Sequence, residues 1–288
     1  ADTLDLSAKT EEAYDEKVAE LLNLPLISSS MISEGGNREL NGKGTLMATE
    51  AVEKGRNPRM SKNEMEVEYR RLLGVKKVIW LEEGLLEDSH TFLGPLTMAD
   101  STKAYTVVTT NGHVDEFARF VNDSTILLAS VDSTDLDDPI ARENHRRLEK
   151  NFRILSESTD QDGKAFNIVR LPLPNTILTT MAPGDYVYDF IKTLEYKDGS
   201  EFPEGDTITV VAPASYLNFI ITNTVVIGQQ YWREGMPDEI KVQDEKALRI
   251  LREVFPNKKV VMLDALAVNL GGGGLHCISM HQPEILST

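Results

Sequence analysis

The 288-residue sequence holds one cysteine, Cys277, in a setting unusual for a packed thiol. Four glycines, Gly271 to Gly274, precede it, and His276 and Ser279 lie beside it. A glycine run gives up side-chain packing and conformational entropy, which suits backbone that must approach a ligand closely. A free cysteine is otherwise a small buried hydrophobe. Here it reads as a reactive thiol, which needs an acid or base nearby. Gly112-His113-Val114-Asp115 offers one, because residues i and i+2 of a strand share a face and would project an imidazole beside a carboxylate. The same spacing suits metal ligands, but no His/Cys cluster lies near enough to complete a zinc site, so no metal is expected. Glu34, before Gly35-Gly36, is either a carboxylate at a pocket or a turn residue in water. Gly271 to Gly274 does not continue into a phosphate-loop pattern.

The elements that must position these residues follow hydrophobic periodicity. Amphipathic helices are expected over 12–22, with Val18, Leu21 and Leu22 on one face, and over 61–73, where Ser61 and Glu64 have capping-box spacing. Two more are expected over 139–154, with Asp138 as N-cap and Pro139 at the first helical position, and over 242–255. Short apolar strands should follow at 25–28, 77–81, 167–171 and 259–263, and three similar strands lie at 44–49, 124–129 and 223–228. A unit of helix, strand, polar element and strand thus recurs about four times. The polar elements are Glu34–Asn37, Gly112–Asp115, Ser215–Asn218 and Gly271–Cys277. This pattern fits either a closed or stacked array of repeats or an ordinary α/β domain. Two inserts break the units: Glu82–Val107 reads as a surface loop, and the long Pro172–Asp206 reads as a lid or binding loop.

Composition narrows the function classes. The net charge is −16, and a hydrophobic fraction of 41% is ordinary for a globular chain. Nucleic acid and anionic lipid require a basic footprint that this composition lacks, whereas a negative field favours small cations. No run of about 18 apolar residues is present, so no transmembrane helix is expected. A single cysteine excludes an internal disulfide and leaves the compartment open between cytoplasm and an exported, processed form. The sequence opens on Ala1 with no signal stretch, which suggests that an upstream part has been removed.

Three stretches, Ser33–Glu39, Asn111–Phe120 and Gly271–Ser279, together resemble the agmatine deiminase family and its bacterial peptidylarginine deiminase relatives. The resemblance runs from about Tyr14 to Pro283 with order and spacing kept. It implies a single catalytic domain, residues 1–288, built as a five-bladed α/β propeller (a pentein) of ββαβ modules. About four modules would be present, with the N-terminal one missing. It implies hydrolysis of a guanidino substrate, agmatine first, to a ureido product and ammonia, as in polyamine biosynthesis toward putrescine, with no metal or organic cofactor. Cys277 matches the nucleophile, His113 the general acid/base, Asp115 the carboxylate that grips the guanidinium, and Glu34 the acid that positions His113 and keeps it protonated, which would favour the Cys277 thiolate. Gly274 and Asn218 are expected to contact substrate. A further carboxylate, in an Arg-Asp motif upstream of the Glu-Gly-Gly segment in the family, has no counterpart before Glu34. It would come from a separate N-terminal segment or from another chain of a homo-oligomer. Rival functions are a peptidylarginine deiminase, an amidinotransferase on the same scaffold, and a non-catalytic binder of cationic amines.

Overall fold

A computed structural model describes residues 13–107 and 109–281 of the chain. Its organising unit is a hairpin, a helix and a parallel return strand. In the first copy β1 (Glu39–Leu40) pairs antiparallel with β2 (Thr45–Thr49), and β3 (Lys77–Leu81) pairs parallel with β2. Between β2 and β3 run α2 (Glu50–Arg56) and α3 (Lys62–Leu73), which follow α1 (Tyr14–Leu22) and precede the rest in chain order. Ser61 caps α3 as its spacing predicts: its hydroxyl accepts from the Glu64 amide, and the Glu64 carboxylate accepts from the Ser61 amide. Gly74, at φ 65°, ends the helix in the left-handed conformation open to glycine.

The chain then forms a separate hairpin before the unit returns. Strands β4 (Leu96–Thr97) and β5 (Lys103–Thr106) are an antiparallel hairpin within the segment expected to be a surface loop. The second unit is β6 (Ala118–Phe120), β7 (Thr125–Ser130), α4 (Pro139–Glu157) and β8 (Asn167–Pro172). Next come β9 (Leu178–Met181), α5 (Tyr186–Ile191) and β10 (Ile208–Val211). Strand β10 runs parallel to β5 and antiparallel to β9, giving the order β4-β5-β10-β9. The two inserts therefore meet as one sheet, around Tyr105, Met181, Tyr188 and Ile208. The third unit is β11 (Ile220–Ile221), β12 (Val225–Gln230), α6 (Asp238–Val254) and β13 (Lys259–Asp264), followed by α7 (Leu266–Leu270).

The architecture is thus mixed α/β with four small sheets among the described residues. One apolar core runs through all four, taking Met47 and Leu81 from the first unit, Phe117, Leu127 and Leu171 from the second, Val226, Leu251 and Val260 from the third, and Ala212 beside β10. The helix over 139–157 buries Ile140, Asn144, Leu148, Asn151 and Leu155, a single stripe at helical spacing. Two of these are polar because they hold backbone. Asn144 accepts from the Leu86 amide and donates to Glu87, while Asn151 accepts from the Glu82 amide and donates to the Glu83 carbonyl. Segment 82–88 is therefore pinned to α4 rather than loose on the surface.

One expectation fails at the start of the chain. Residues 25–28 form no strand; Pro25 offers no amide, and Leu26 and Ile27 are exposed. The helix α1 forms as expected, but none of its residues is buried, and Leu21 and Leu22 on its apolar face are exposed. The fourth helix begins at Asp238, four residues earlier than its apolar spacing indicates.

A buried ion pair ties the units together. Arg119 on β6 donates to the Glu39 carboxylate on β1 at 2.9 Å and to the carbonyls of Leu217 and Phe219 at 3.0 and 2.8 Å. Its guanidinium also lies 4.7 Å from the centre of the Phe219 ring. Removing one partner of such a pair strands a buried charge and costs about 3–5 kcal/mol. We therefore expect Arg119→Ala to lower the unfolding free energy by an amount in that range, read from urea denaturation by circular dichroism; an unchanged free energy would show that the pair does not join the units.

Candidate active site

The four polar elements converge, though not through strands. Gly35–Asn37 and Val114–Glu116 are single 3₁₀ turns, with Glu34 and His113 at their leading ends. Thus His113 and Asp115 do not share a strand face, as their spacing suggested. They meet because the turn brings both over Gly36: a Cβ there would lie 2.6 Å from His113 Nδ1 and 2.8 Å from Asp115 Oδ2. Only glycine permits that approach. The first turn is held by Asn37, whose Oδ1 accepts from the amides of Thr49 and Val114 and whose Nδ2 donates to Glu53 and the Thr49 carbonyl. The second is held by Asp88. Its carboxylate accepts from the Gly112 and His113 amides, each at 3.0 Å, and from both the amide and the hydroxyl of Thr110. Asp88 lies in the segment that α4 pins, so the helix positions His113 through it.

Glu34 and His113 are joined at 2.6 Å, Oε2 to Nε2, and Arg56 donates to the other oxygen of Glu34 at 2.8 Å. Burial raises the Glu34 carboxyl, but hydrogen bonds from His113 and Arg56 overcome this and hold it near a pKa of about 2. Burial disfavours the imidazolium of His113, yet the Glu34 hydrogen bond and the Asp115, Asp88 and Glu34 charges outweigh it, so its pKa is raised. The sign for stability follows. The contribution of Glu34 is present above its unfolded value near 4.5 and is lost as pH falls toward 2; that of His113 is present below 6.5 and is lost as pH rises through its raised value. The pair is charged on both sides between those limits.

On the other side of Asp115 stands the thiol. The Cys277 residue is exposed, but its sulfur turns inward, with Sγ 3.6 Å from Asp115 Oδ2 and 3.6 Å from Glu116 Oε1. Asn218 Nδ2 donates to the sulfur at 3.2 Å, while Asn218 Oδ1 accepts from the His276 and Cys277 amides. His276 Nδ1 contacts Asp115 Oδ2 at 2.7 Å. Asp115 and Glu116 are 0% and 2% exposed, and each keeps one carboxylate oxygen, Oδ1 and Oε2, buried without a partner. Gly274 leaves room for this arrangement: a Cβ would fall 2.3 Å from Asn218 Oδ1. Ser215 is structural too, donating to the Glu116 carbonyl and accepting from the Leu217 amide.

The electrostatics around the sulfur oppose the expected thiolate. Burial, then the Glu116 and Asp115 carboxylates, push the Cys277 thiol well up, while the Gly274 amide and Asn218 pull the other way. Burial and the neighbouring Asp115 and Asp88 likewise push Glu116 well above the usual carboxylate range. The structure therefore groups Cys277, His113, Glu34, Asp115 and Asn218 as the sequence suggested, and adds Glu116, His276, Asp88 and Arg56. Glu116 and His276 adjoin residues singled out in sequence, but nothing in one dimension marks them as facing the thiol; Arg56 and Asp88 sit in other elements altogether.

Two expected outcomes test these contacts. In Glu34→Gln the His113 imidazole should titrate at lower pH than in the parent protein, followed by NMR; an unchanged titration would remove Glu34 as its partner. In Glu116→Gln a carboxyl that adds negative charge beside the thiol when ionised is removed, so iodoacetamide should alkylate Cys277 faster at a fixed alkaline pH where Glu116 of the parent protein is ionised. An equal or slower rate would contradict the assigned electrostatics.

Known proteins resemble the chain along most of its length. The sequence pattern of the Porphyromonas-type peptidyl-arginine deiminase family matches residues 5–94 and 96–283. An agmatine deiminase of Medicago truncatula is 32% identical over 94% of this chain and 62% of its own length, and one of Pseudomonas aeruginosa is 32% identical over 89% and 58%. The solved structure of an agmatine deiminase of Enterococcus faecalis superposes with a TM-score of 0.65 at 26% identity, covering 91% of this chain and 60% of that one. The chain spans about 60% of the length of the relatives it matches. With its matched motifs gathered at one site, the chain belongs to the Porphyromonas-type peptidyl-arginine deiminase family.

Proposed function

We propose that this chain is the larger part of a guanidine deiminase that converts agmatine to its ureido product and ammonia. The observation that carries this reading is the pair of buried carboxylates, Asp115 and Glu116, that flank the Cys277 sulfur with one free oxygen each. Unpaired buried acceptors are costly, and a planar cation that donates several N–H groups is their natural complement. A guanidinium held there would place its electrophilic carbon near the sulfur. The cation also offsets the charges that raise the thiol, so the thiol proton leaves to solvent as substrate binds.

The thiolate then forms a bond to the guanidinium carbon, giving a tetrahedral adduct. His113, kept as imidazolium by Glu34, gives its proton to the departing nitrogen, and the C–N bond breaks to release ammonia. The neutral imidazole takes a proton from water, whose oxygen attacks the same carbon. The C–S bond breaks, the ureido product leaves, and its surplus proton passes to ammonia. Glu116 would supply, beside Asp115, part of the grip that family members draw from an upstream carboxylate. We further infer that the four sheets are part of a five-bladed propeller acting as a single catalytic domain. The uncovered apolar face of α1 and the exposed Leu26, Ile27 and Ile32 support a neighbouring module at that edge.

Agmatine is favoured because the relatives that align over most of the chain bear that activity in their names. The test is ureido product and ammonia from agmatine, free arginine and an arginyl peptide, using the protein with any segment that precedes Ala1 in its gene. Agmatine should be turned over. Cys277→Ala should lose at least about four orders of magnitude in rate. Asp115→Asn should lose about 2–5 kcal/mol of transition-state stabilisation. Turnover of the peptide alone would make it a peptidylarginine deiminase, amidino transfer without ammonia would make it a transferase, and wild-type rates in Cys277→Ala would end the nucleophile assignment.

A further inference from the structure

We propose that Asp115, Glu116 and Cys277 form a site for one thiophilic divalent cation, with Zn²⁺ as the type ion, and that its occupancy shuts the thiol away from other reactants. One ligand atom from each residue lies within 4.8 Å of the others. The two sulfur–oxygen separations of 3.6 Å match the edge of a tetrahedral site, about 3.5 Å for a Zn–S bond near 2.3 Å and a Zn–O bond near 2.0 Å. The local groups need little rearrangement to coordinate.

Independent support comes from Asp115 Oδ1 and Glu116 Oε2, buried acceptors on residues that are themselves 0% and 2% exposed. The oxygens that stand 3.6 Å from the sulfur are Asp115 Oδ2, which also meets His276, and Glu116 Oε1; a cation among them would give the two buried carboxylates the positive partner that their second oxygens lack. The outer contacts also suit a metal ligand set. His276 Nδ1 sits on Asp115 Oδ2 at 2.7 Å and fixes that carboxylate, and Asn218 donates to the sulfur at 3.2 Å. The fourth position of a tetrahedral ion would be left to water. The sulfur selects a thiophilic ion over Mg²⁺ or Ca²⁺, which prefer all-oxygen shells. Binding forms an S–metal bond as the thiol proton leaves to solvent, with no change of oxidation state.

The test needs no substrate, so its result stands apart from the deiminase assay. The purified chain would be titrated with Zn²⁺ against a chromophoric chelator, and separately with Co²⁺ to follow thiolate-to-metal charge-transfer absorption. We expect one equivalent of Zn²⁺, a charge-transfer band with Co²⁺, and protection of Cys277 from iodoacetamide by stoichiometric Zn²⁺. Cys277→Ala should weaken Zn²⁺ binding at least a hundredfold and abolish the band, and Glu116→Gln should weaken binding about tenfold. Mg²⁺ should give no protection. Cys277→Ala changes an exposed side chain, and circular dichroism would check that both variants keep the fold. Absence of saturable Zn²⁺ binding, or equal affinity in Cys277→Ala, would overturn the site.

Discussion

The fold turns on a charge that cannot be left alone. Arg119 is 2% exposed, and a guanidinium in that position is tolerable only if its donors are met. They are met by two separated stretches of chain: the Glu39 carboxylate, and the carbonyls of Leu217 and Phe219. Glu39 closes the arrangement by accepting from the Phe120 amide with its other oxygen. Leu217 and Phe219 flank Asn218, and Arg119 follows the His113–Glu116 turn by three residues. The ion pair therefore fixes the distance between the two halves of the site as well as the packing of the units.

From that fixed frame the electrostatics of the site divide in two. On one side a carboxylate, an imidazole and a guanidinium, Glu34, His113 and Arg56, balance one another and hold His113 protonated over a wide pH range. On the other side two buried carboxylates crowd a thiol, each with one oxygen left without a partner. The imbalance is what gives the site a preference for a positively charged visitor. An acidic protein surface, net charge −16, raises the concentration of such visitors but does not select among them. Selection lies in the paired acceptors and in the sulfur that completes them.

Several elements were legible in one dimension because their causes are local. The capping box at Ser61 and Glu64, Pro139 after the Asp138 cap, and the apolar strands at 77–81, 167–171 and 259–263 depend on neighbours within a few residues. Candidate chemistry was legible for a related reason. A lone Cys after four glycines, and a His-x-Asp after glycine, give up ordinary packing in ways that a periodic pattern exposes. The β4-β5-β10-β9 sheet was not legible. Parallel strands β5 and β10 are separated by a whole intervening unit, so neither strand reads as more than a short apolar run within a polar segment. The inserts looked like loops because the strand that joins them, β10, lies outside both and pairs β5 on one side and β9 on the other.

The sequence by itself determined the helices with strong caps and several apolar strands, and it singled out Cys277 by its setting. His113, Asp115 and Glu34 became candidates beside it through the matched family motifs. Tertiary structure alone decided how those groups feel one another. It turned the His113–Asp115 stretch from a strand into a 3₁₀ turn over Gly36, put Glu116 against the sulfur, and hung the turn from Asp88. Charge interactions depend on separation and burial, and both are set by contacts across more than a hundred residues of chain, such as Cys277 with Asp115. Spacing in sequence carries no record of either.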